Sequence, residues 1–321
     1  MTQPQRDKFS GSDVRVGRIR YMNVAPVYHG LTNGGRPPGM SLFSGPPAEL
    51  NAMLAEGKLD ISPVSSAAYA RHAEDWLLLP DLSISCRGPV MSVLLVSRNP
   101  ISELDGRKVL LTQESATAAA LTRFLLAEEG VRPRFETGRV CAREDLSGDV
   151  GAALVIGDAA LREPWADRMD GWAPHVLDLG SWWWERTGLP FVFALWAVRR
   201  SFAEAHPERV RAVVRAFRRS RRHGLERMEE ILPGACDRLG IGPDRCRQYY
   251  DRLHYGLDAD QIHGVRRFFD GLHREGILSR PVELSFFKDN GLQIPTQRAF
   301  PTTSALRFPA FPQPVSTGFR I

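Results

Sequence analysis

Several places in this sequence put small polar side chains where a strand-like run hands over to a helix-like one. Asn23 stands between "VGRIRY" and a run that carries Pro26 in its first turn. Ser65 and Ser66 follow "DISPV" and open a helix, Ser115 and Thr117 lie in "LTQESATAAALT", and Gly157 and Asp158 lie in "LVIGDAAL". Each place has an ordinary reading, because Asn, Ser, Thr and Asp are good helix N-caps and a cap needs no ligand. Each also has a chemical reading. The first N–H groups of a helix are unpaired and carry a partial positive charge, so a hydroxyl or amide beside them can hold a carboxylate. Ligands of α/β folds bind at the carboxyl ends of strands. Such places at the ends of different strands favour a cleft that takes a small polar anion. Arg87 and Ser92 flank a Gly-Pro turn and add candidate donors, although an exposed arginine is otherwise only surface.

Other chemistries find little support. The chain has no Walker loop, no H-E-x-x-H and no G-x-S-x-G. Its histidines are scattered. The four cysteines form no C-x-x-C pair and have no histidine at metal-ligand spacing, so they read as reduced thiols. "SWWWERTGLP" offers Trp182, Trp183 and Trp184, either as packing or as an aromatic wall beside a ring-shaped ligand. The arginines of 209–222 read as a solvated helix face, since no nucleic-acid motif or aromatic interleaving accompanies them. A net charge of +5 favours an anionic ligand only weakly.

The elements that must position these residues alternate along the chain. "MSLFSG" at 40–45 reads as a strand. "PPAELNAMLAEGKLD" reads as a helix with Leu50, Met53 and Leu54 on one face and Gly57 past its end. A second block of strand–helix units begins near 99, and "GLPFVFALWAVRR" carries the chain back to the first. After 202 the pattern is helical, with Val210, Val213, Val214 and Phe217 on one face. This order predicts two α/β lobes with a ligand cleft between them. Residues 14–98 plus 196–280 would form lobe 1 and 99–195 lobe 2, with crossings near 96–100 and 190–198. Residues 1–13 read as a flexible leader and 281–321 as an irregular tail. The opening residues have no apolar h-region and no run approaches the length of a membrane span, so a soluble, cytoplasmic protein is expected.

The segments "VGRIRYMNVAPVY", "LPDLSISCRGPVMSVLLVS", "LTQESATAAALT", "ALVIGDAAL" and "TGLPFVFALWAVR" together resemble the chorismate dehydratase family of the futalosine route to menaquinone. The likeness runs in order from about 14 to 280. It implies a two-lobed, type II periplasmic-binding-protein-like α/β fold turned into a cytoplasmic enzyme. It also implies loss of water from chorismate to give 3-[(1-carboxyvinyl)oxy]benzoate. On that reading Asn23 is catalytic, and Ser65, Ser66, Arg87, Ser92, Ser115, Thr117, Gly157 and Asp158 bind the substrate. No cofactor, metal or nucleic acid is expected. Ala118 stands where the family often has serine, which removes one hydroxyl contact. The sister naphthoate synthase shares the fold, but the Y-x-N and G-D-A-A-L motifs fit the dehydratase better. A non-catalytic cytoplasmic binding protein or sensor for a small carboxylate would use the same cleft.

Overall fold

The computed structural model describes residues 13–288, apart from 139, 141, 143–144, 147–148, 166 and 168–173. The leader through residue 12, Cys141 and the tail from 289 lie outside the described residues. The chain opens with β1 (Val14–Ile19), one tight helical turn (Met22–Val24), α1 (Ala25–Thr32), β2 (Met40–Gly45) and α2 (Pro47–Ala55). It continues through β3 (Ile61–Ser65), α3 (Ser66–Arg71) and β4 (Trp76–Cys86). Next come β5 (Val93–Ser97), β6 (Lys108–Leu111), α4 (Ala116–Glu128), β7 (Arg134–Thr137) and β8 (Val150–Ile156). Then follow α5 (Gly157–Arg162), β9 (His175–Asp178), α6 (Leu179–Thr187) and β10 (Phe191–Arg199). The described chain closes with α7 (Arg200–Ala205), α8 (Pro207–Glu226), α9 (Met228–Leu239), α10 (Pro243–Asp251), β11 (Leu253–His254) and α11 (Ala259–Arg274).

These strands form two sheets, ordered β11-β4-β10-β3-β1-β2 and β7-β6-β8-β5-β9. In the first, β1 runs parallel to β2 and β3, while β10 runs antiparallel to β3 and β4. In the second, β6 runs parallel to β7 and β8, while β5 runs antiparallel to β8 and β9. Each sheet therefore contains a reversed strand that arrives from the other half of the chain. The carboxyl ends of the parallel strands, among them Ile19, Ser65, Leu111 and Ile156, each lead toward a helix start. Every residue of β3 is buried, as a strand covered on both faces must be.

The pairing differs from the expected boundaries. Val93–Ser97 belong to the second sheet, and all of Phe191–Arg199 belongs to the first. The crossing lies between Cys86 and Val93, earlier than 96–100. There Gly88 has φ +86° and Met91 has φ +64°, which break the extended run. An apolar run tells that a strand is buried, not which sheet buries it.

α8 forms because Val210, Val213, Val214 and Phe217 recur at helical spacing, and all four are buried. Phe217 meets the Tyr28 ring edge-on at 5.3 Å. Tyr28 donates its hydroxyl to Gly17 O at 2.6 Å and accepts from Trp196 Nε1 at 3.2 Å, so one phenol joins β1, α1 and β10. The approach of α1 to α8 requires Gly224, since a Cβ there would lie 2.1 Å from Pro26 O. Arg209, Arg215, Arg219 and Arg222 are exposed, as expected of a solvated face. Arg221 instead turns inward onto Asp81 and Tyr255 O. Trp182 and Trp183 are buried; Trp183 packs against Phe191 at 5.2 Å and Phe268 at 6.0 Å, and neither indole lines the cleft. Cys86, Cys236 and Cys246 are free thiols.

The far end of the first sheet is closed by Asp60. Its carboxylate is 2% exposed and accepts from Arg15 at 2.6 Å and Arg199 at 2.8 Å. Burial pushes this carboxyl up, but the hydrogen bonds of Arg15 and Arg199 outweigh burial and hold it below its ordinary value. Among the described residues no helix is long and apolar enough to cross a membrane.

The start of the expected tail is a correction. Leu78 N–H donates to Ser285 O, and Phe287 N–H to Leu78 O, both at 2.8 Å. Phe287 is buried and Ser285 N–H donates to Tyr69 Oη at 2.9 Å. This stretch adds to the edge of β4 beyond the short β11, an arrangement with no apolar period to reveal it.

A chain ended after Leu278 should therefore lose about 3 kcal/mol of stability, from one buried Phe side chain and its hydrogen bonds. An unchanged urea midpoint would show that the segment contributes nothing. A second prediction concerns acid. Because its folded pKa is depressed, the Asp60 carboxylate stabilises the fold above the ordinary aspartate pKa of about 3.9, and that contribution fades as pH falls through the folded value. Asp60→Asn should lower stability at pH 7 by about 3–5 kcal/mol, the range for breaking a buried pair. It should also flatten the loss of stability below about pH 5. Melts across pH would reveal an unaltered acid limb if this reading is wrong.

Candidate functional site

A cleft, whose empty space of about 980 Å³ includes open solvent, lies where the strand ends of both sheets face each other. Asn23, Ser65, Ser92, Ser115, Gly157 and Asp158 all line it. The site is thus assembled from β1, β3, the first crossing, and the starts of α4 and α5.

Asn23 sits in the tight turn between β1 and α1. It caps nothing: residue Val24 is the N-cap of α1, with no side-chain cap bond. The Oδ1 atom of Asn23 is buried and has no hydrogen-bond partner. A buried amide oxygen without a partner is costly, and an unmet acceptor at a cleft wall is suited to a ligand donor. Tyr250 donates to the neighbouring Met22 O at 2.7 Å and so braces this turn from α10.

Ser65 and Ser115 do cap helices. Ser65 Oγ accepts from Ala68 N at 3.2 Å, and Ser115 Oγ accepts from Ala118 N at 3.1 Å. Each caps while also lining the cleft. Ser92 O accepts from Gly157 N at 2.8 Å, which joins the crossing to the start of α5. Gly157 has φ +62°, a conformation open to glycine at little cost. Asp158 faces Arg162 at 3.5 Å along α5.

Three expected ligand residues do not line the cleft. Ser66 is buried and donates to Val192 O at 2.6 Å, inside the packing of β3 on β10. Thr117 is fully buried, and its Oγ1 accepts from Ala67 N at 2.9 Å, tying the start of α4 to the start of α3 behind the cleft wall. Arg87 is exposed and faces Asp258 at 3.4 Å and Asp260 at 3.2 Å near the start of α11. Ser66 and Thr117 each stand past the N-cap, where the helical turn has already rotated the side chain away.

The fold adds residues that sequence reasoning missed. Tyr21 and Glu114 line the cleft and hydrogen-bond to each other at 2.9 Å. They neighbour Asn23 and Ser115 in sequence, so their positions in the same loops were the available signal. Tyr249 reaches the cleft from α10, a helix distant in sequence, and no local motif marks it. Burial pushes its phenol up to about 12, against a hydrogen bond with Ser92 that lowers it, so it is a neutral donor at ordinary pH. Ile84, Phe193 and Leu253 supply an apolar floor. At the mouth stand Arg20 and Arg238 beside Gln113.

Asp178 positions much of this. Its carboxylate accepts from Val90 N at 3.0 Å, Met91 N at 2.7 Å, Gly180 N at 2.9 Å and Ser181 N at 3.1 Å. Burial pushes this carboxyl above its usual value, and the N–H donors pull against that. The arrangement as a whole offers cationic groups at the rim, helix starts within, neutral donors and an apolar floor. It suits a small anion with a ring and a hydroxyl.

Comparisons with known proteins bear on the family and the fold. Residues 14–274 match a family described as menaquinone biosynthesis. A protein named chorismate dehydratase from Thermus thermophilus is 38% identical over 268 residues, which are 80% of this chain and 94% of that protein. The 1,4-dihydroxy-6-naphtoate synthase of the same organism is 32% identical over 57% of this chain and 63% of its own length. Among solved structures, a protein from Archaeoglobus fulgidus has a TM-score of 0.68 at 20% identity, covering 84% of this chain and all of that one. The periplasmic aliphatic sulphonate binding protein of Escherichia coli has a TM-score of 0.60 at 16% identity, covering 97% of this chain and all of its own. The fold is therefore periplasmic-binding-protein-like, and the chain belongs to the menaquinone biosynthesis family.

Proposed function

We propose that this protein is a chorismate dehydratase, a cytoplasmic hydro-lyase that converts chorismate to 3-[(1-carboxyvinyl)oxy]benzoate and water. The observation that carries the reading is Asn23, whose amide oxygen lacks a partner at the wall of a cleft built from helix starts. The relative from Thermus thermophilus, matched over nearly its whole length, supports the choice of reaction. We also read the two sheets as the cores of two lobes, 14–86 with 191–280 and 93–190, closing on the ligand.

Chorismate carries two carboxylates and a hydroxyl. The C3–H bond breaks and its electron pair completes the aromatic ring. The C4–O bond breaks toward oxygen, which leaves as water by taking up a proton equivalent to the one lost from C3. Aromaticity drives the reaction, so the enzyme's task is orientation and proton traffic. The substrate's own enolpyruvyl carboxylate takes the C3 proton on this reading. The Asn23 amide, with donors and an acceptor on one group, holds the hydroxyl or the enolpyruvyl group as the bond to oxygen breaks. Arg20 and Arg238 favour entry of the dianion. Ile84, Phe193 and Leu253 face the ring.

The direct test incubates purified protein with chorismate and follows the aromatic product by absorbance and mass. Chorismate that binds and returns unchanged would favour the alternative, a binding protein or sensor for a small carboxylate. That alternative draws on the likeness to a sulphonate binding protein.

Two variant sets test the residues. Asn23→Ala and Asn23→Asp should lower kcat by about 10²–10³, the cost of removing an oriented donor. The Asn23→Ala melt should stay near that of the parent, because no hydrogen bond within the protein is lost from Oδ1. Near-normal turnover in either variant sinks the assignment. Ser115→Ala should weaken chorismate binding and remove about 1 kcal/mol of capping. Thr117→Val should instead leave affinity intact and cost about 1–3 kcal/mol, since Ala67 N loses its acceptor. Calorimetric titration beside thermal melts separates the pair; weakened binding in Thr117→Val alone would reverse their roles.

A further inference from the structure

The two halves of the cleft meet at several points, one of them where Arg162 of α5 donates to Leu239 O and Arg238 O at the end of α9. Behind the cleft, Ala67 N–H on the first half reaches Thr117 Oγ1 on the second, both within packed helix starts. At the rim, Tyr21 from the end of β1 reaches Glu114 from the end of β6, side chain to side chain, at 2.9 Å. Both side chains line the cleft, and both sit in loops that carry candidate site residues. Tyr21 precedes Asn23 within one tight turn, and Glu114 directly precedes the cap Ser115. Glu114 is itself held, its N–H donating to Thr112 Oγ1 at 3.0 Å. A phenol donating to a carboxylate is a charge-assisted bond, roughly twice as strong as a neutral one.

We propose that Tyr21 and Glu114 form a clasp that holds the cleft closed and brings the Asn23 loop and the Ser115 loop onto one ligand. Both are positioning residues. This rests on the proposed dehydratase reading where turnover is concerned, but not where shape is concerned. Opening the cleft separates two donors that must act on the same substrate, and a bond that exists only in the closed form adds its strength to the closed population. Both side chains are half-buried; Tyr21 also packs against the hydrophobic core, a contact that Tyr21→Phe keeps because it removes only the hydroxyl.

The experiment is a double-variant cycle with Tyr21→Phe and Glu114→Ala, and Glu114→Gln as the conservative variant. Each single change should lower kcat/KM for chorismate by about tenfold, the least expected on losing a hydrogen bond to a charged group. The double variant should lose less than the sum of the two single changes, because the shared bond is lost in all three. Glu114→Gln keeps an acceptor oxygen and should recover most of the loss. Melting temperatures should stay close to that of the parent, and small-angle scattering of the ligand-free Tyr21→Phe protein should give a larger radius of gyration. Additive losses in the cycle, or an unchanged radius, overturn the clasp. If the parent protein fails to convert chorismate, the dehydratase reading fails, and scattering still decides the clasp.

Discussion

The site depends on one carboxylate gathering the N–H groups of two segments. Asp178 ends the last strand of the second sheet, caps α6, and also receives Val90 N and Met91 N from the crossing. Those crossing residues have nowhere else to pair, since Gly88 and Met91 turn the backbone out of the strand conformation. Without Asp178, several buried N–H donors would be left unmet at the point where the chain passes from one sheet to the other. Ser92 follows directly; its carbonyl accepts from Gly157 N, and its side chain hydrogen-bonds with the Tyr249 phenol. Even Gly180 takes part: a Cβ there would lie 2.5 Å from Gly88 O, so α6 and the crossing approach closely.

The two ends of the first sheet treat polar groups in opposite ways. At the far end Asp60 is fully met by two arginines and by Arg15 N. At the cleft end the Asn23 oxygen has no partner within the protein, and the starts of α4 and α5 line the cleft. A fold that satisfies a buried charge at one pole can leave an acceptor open at the other, where a ligand supplies the missing partner. The division of labour is physical: closed networks fix the lobes and open ones select what enters.

Much of this was legible in the sequence. The strand at 40–45, the helix from Pro47, the caps Ser65 and Ser115, and the cleft position of Asn23 follow from residue type and spacing. What escaped has a common cause. Residue type marks a helix start, but the rotation of about 100° per residue decides which side chain faces the ligand. Ser66 and Thr117 therefore turn into packing while their neighbours face the cleft. Val93–Ser97 carries an apolar pattern that either sheet would accept. Tyr249 and Tyr250 arrive from a distant helix, and Phe287 from a stretch without periodicity; only the assembled fold brings them in.

The strand order carries a consequence for how the chain is made. β3 and β4 are consecutive in the sequence, yet β10 lies between them in the sheet. Until residues 191–199 emerge from synthesis, β4 has no neighbour on that side and Trp76, Leu78 and Ile84 lack part of their cover. The first sheet is then split, with bare strand edges on both sides of the gap. The second half of the protein, whose strands are contiguous from β5 to β9, can close first. β1, β2 and β3 pair among themselves, so it is β4, not the opening of the chain, that waits for β10 to complete the first sheet.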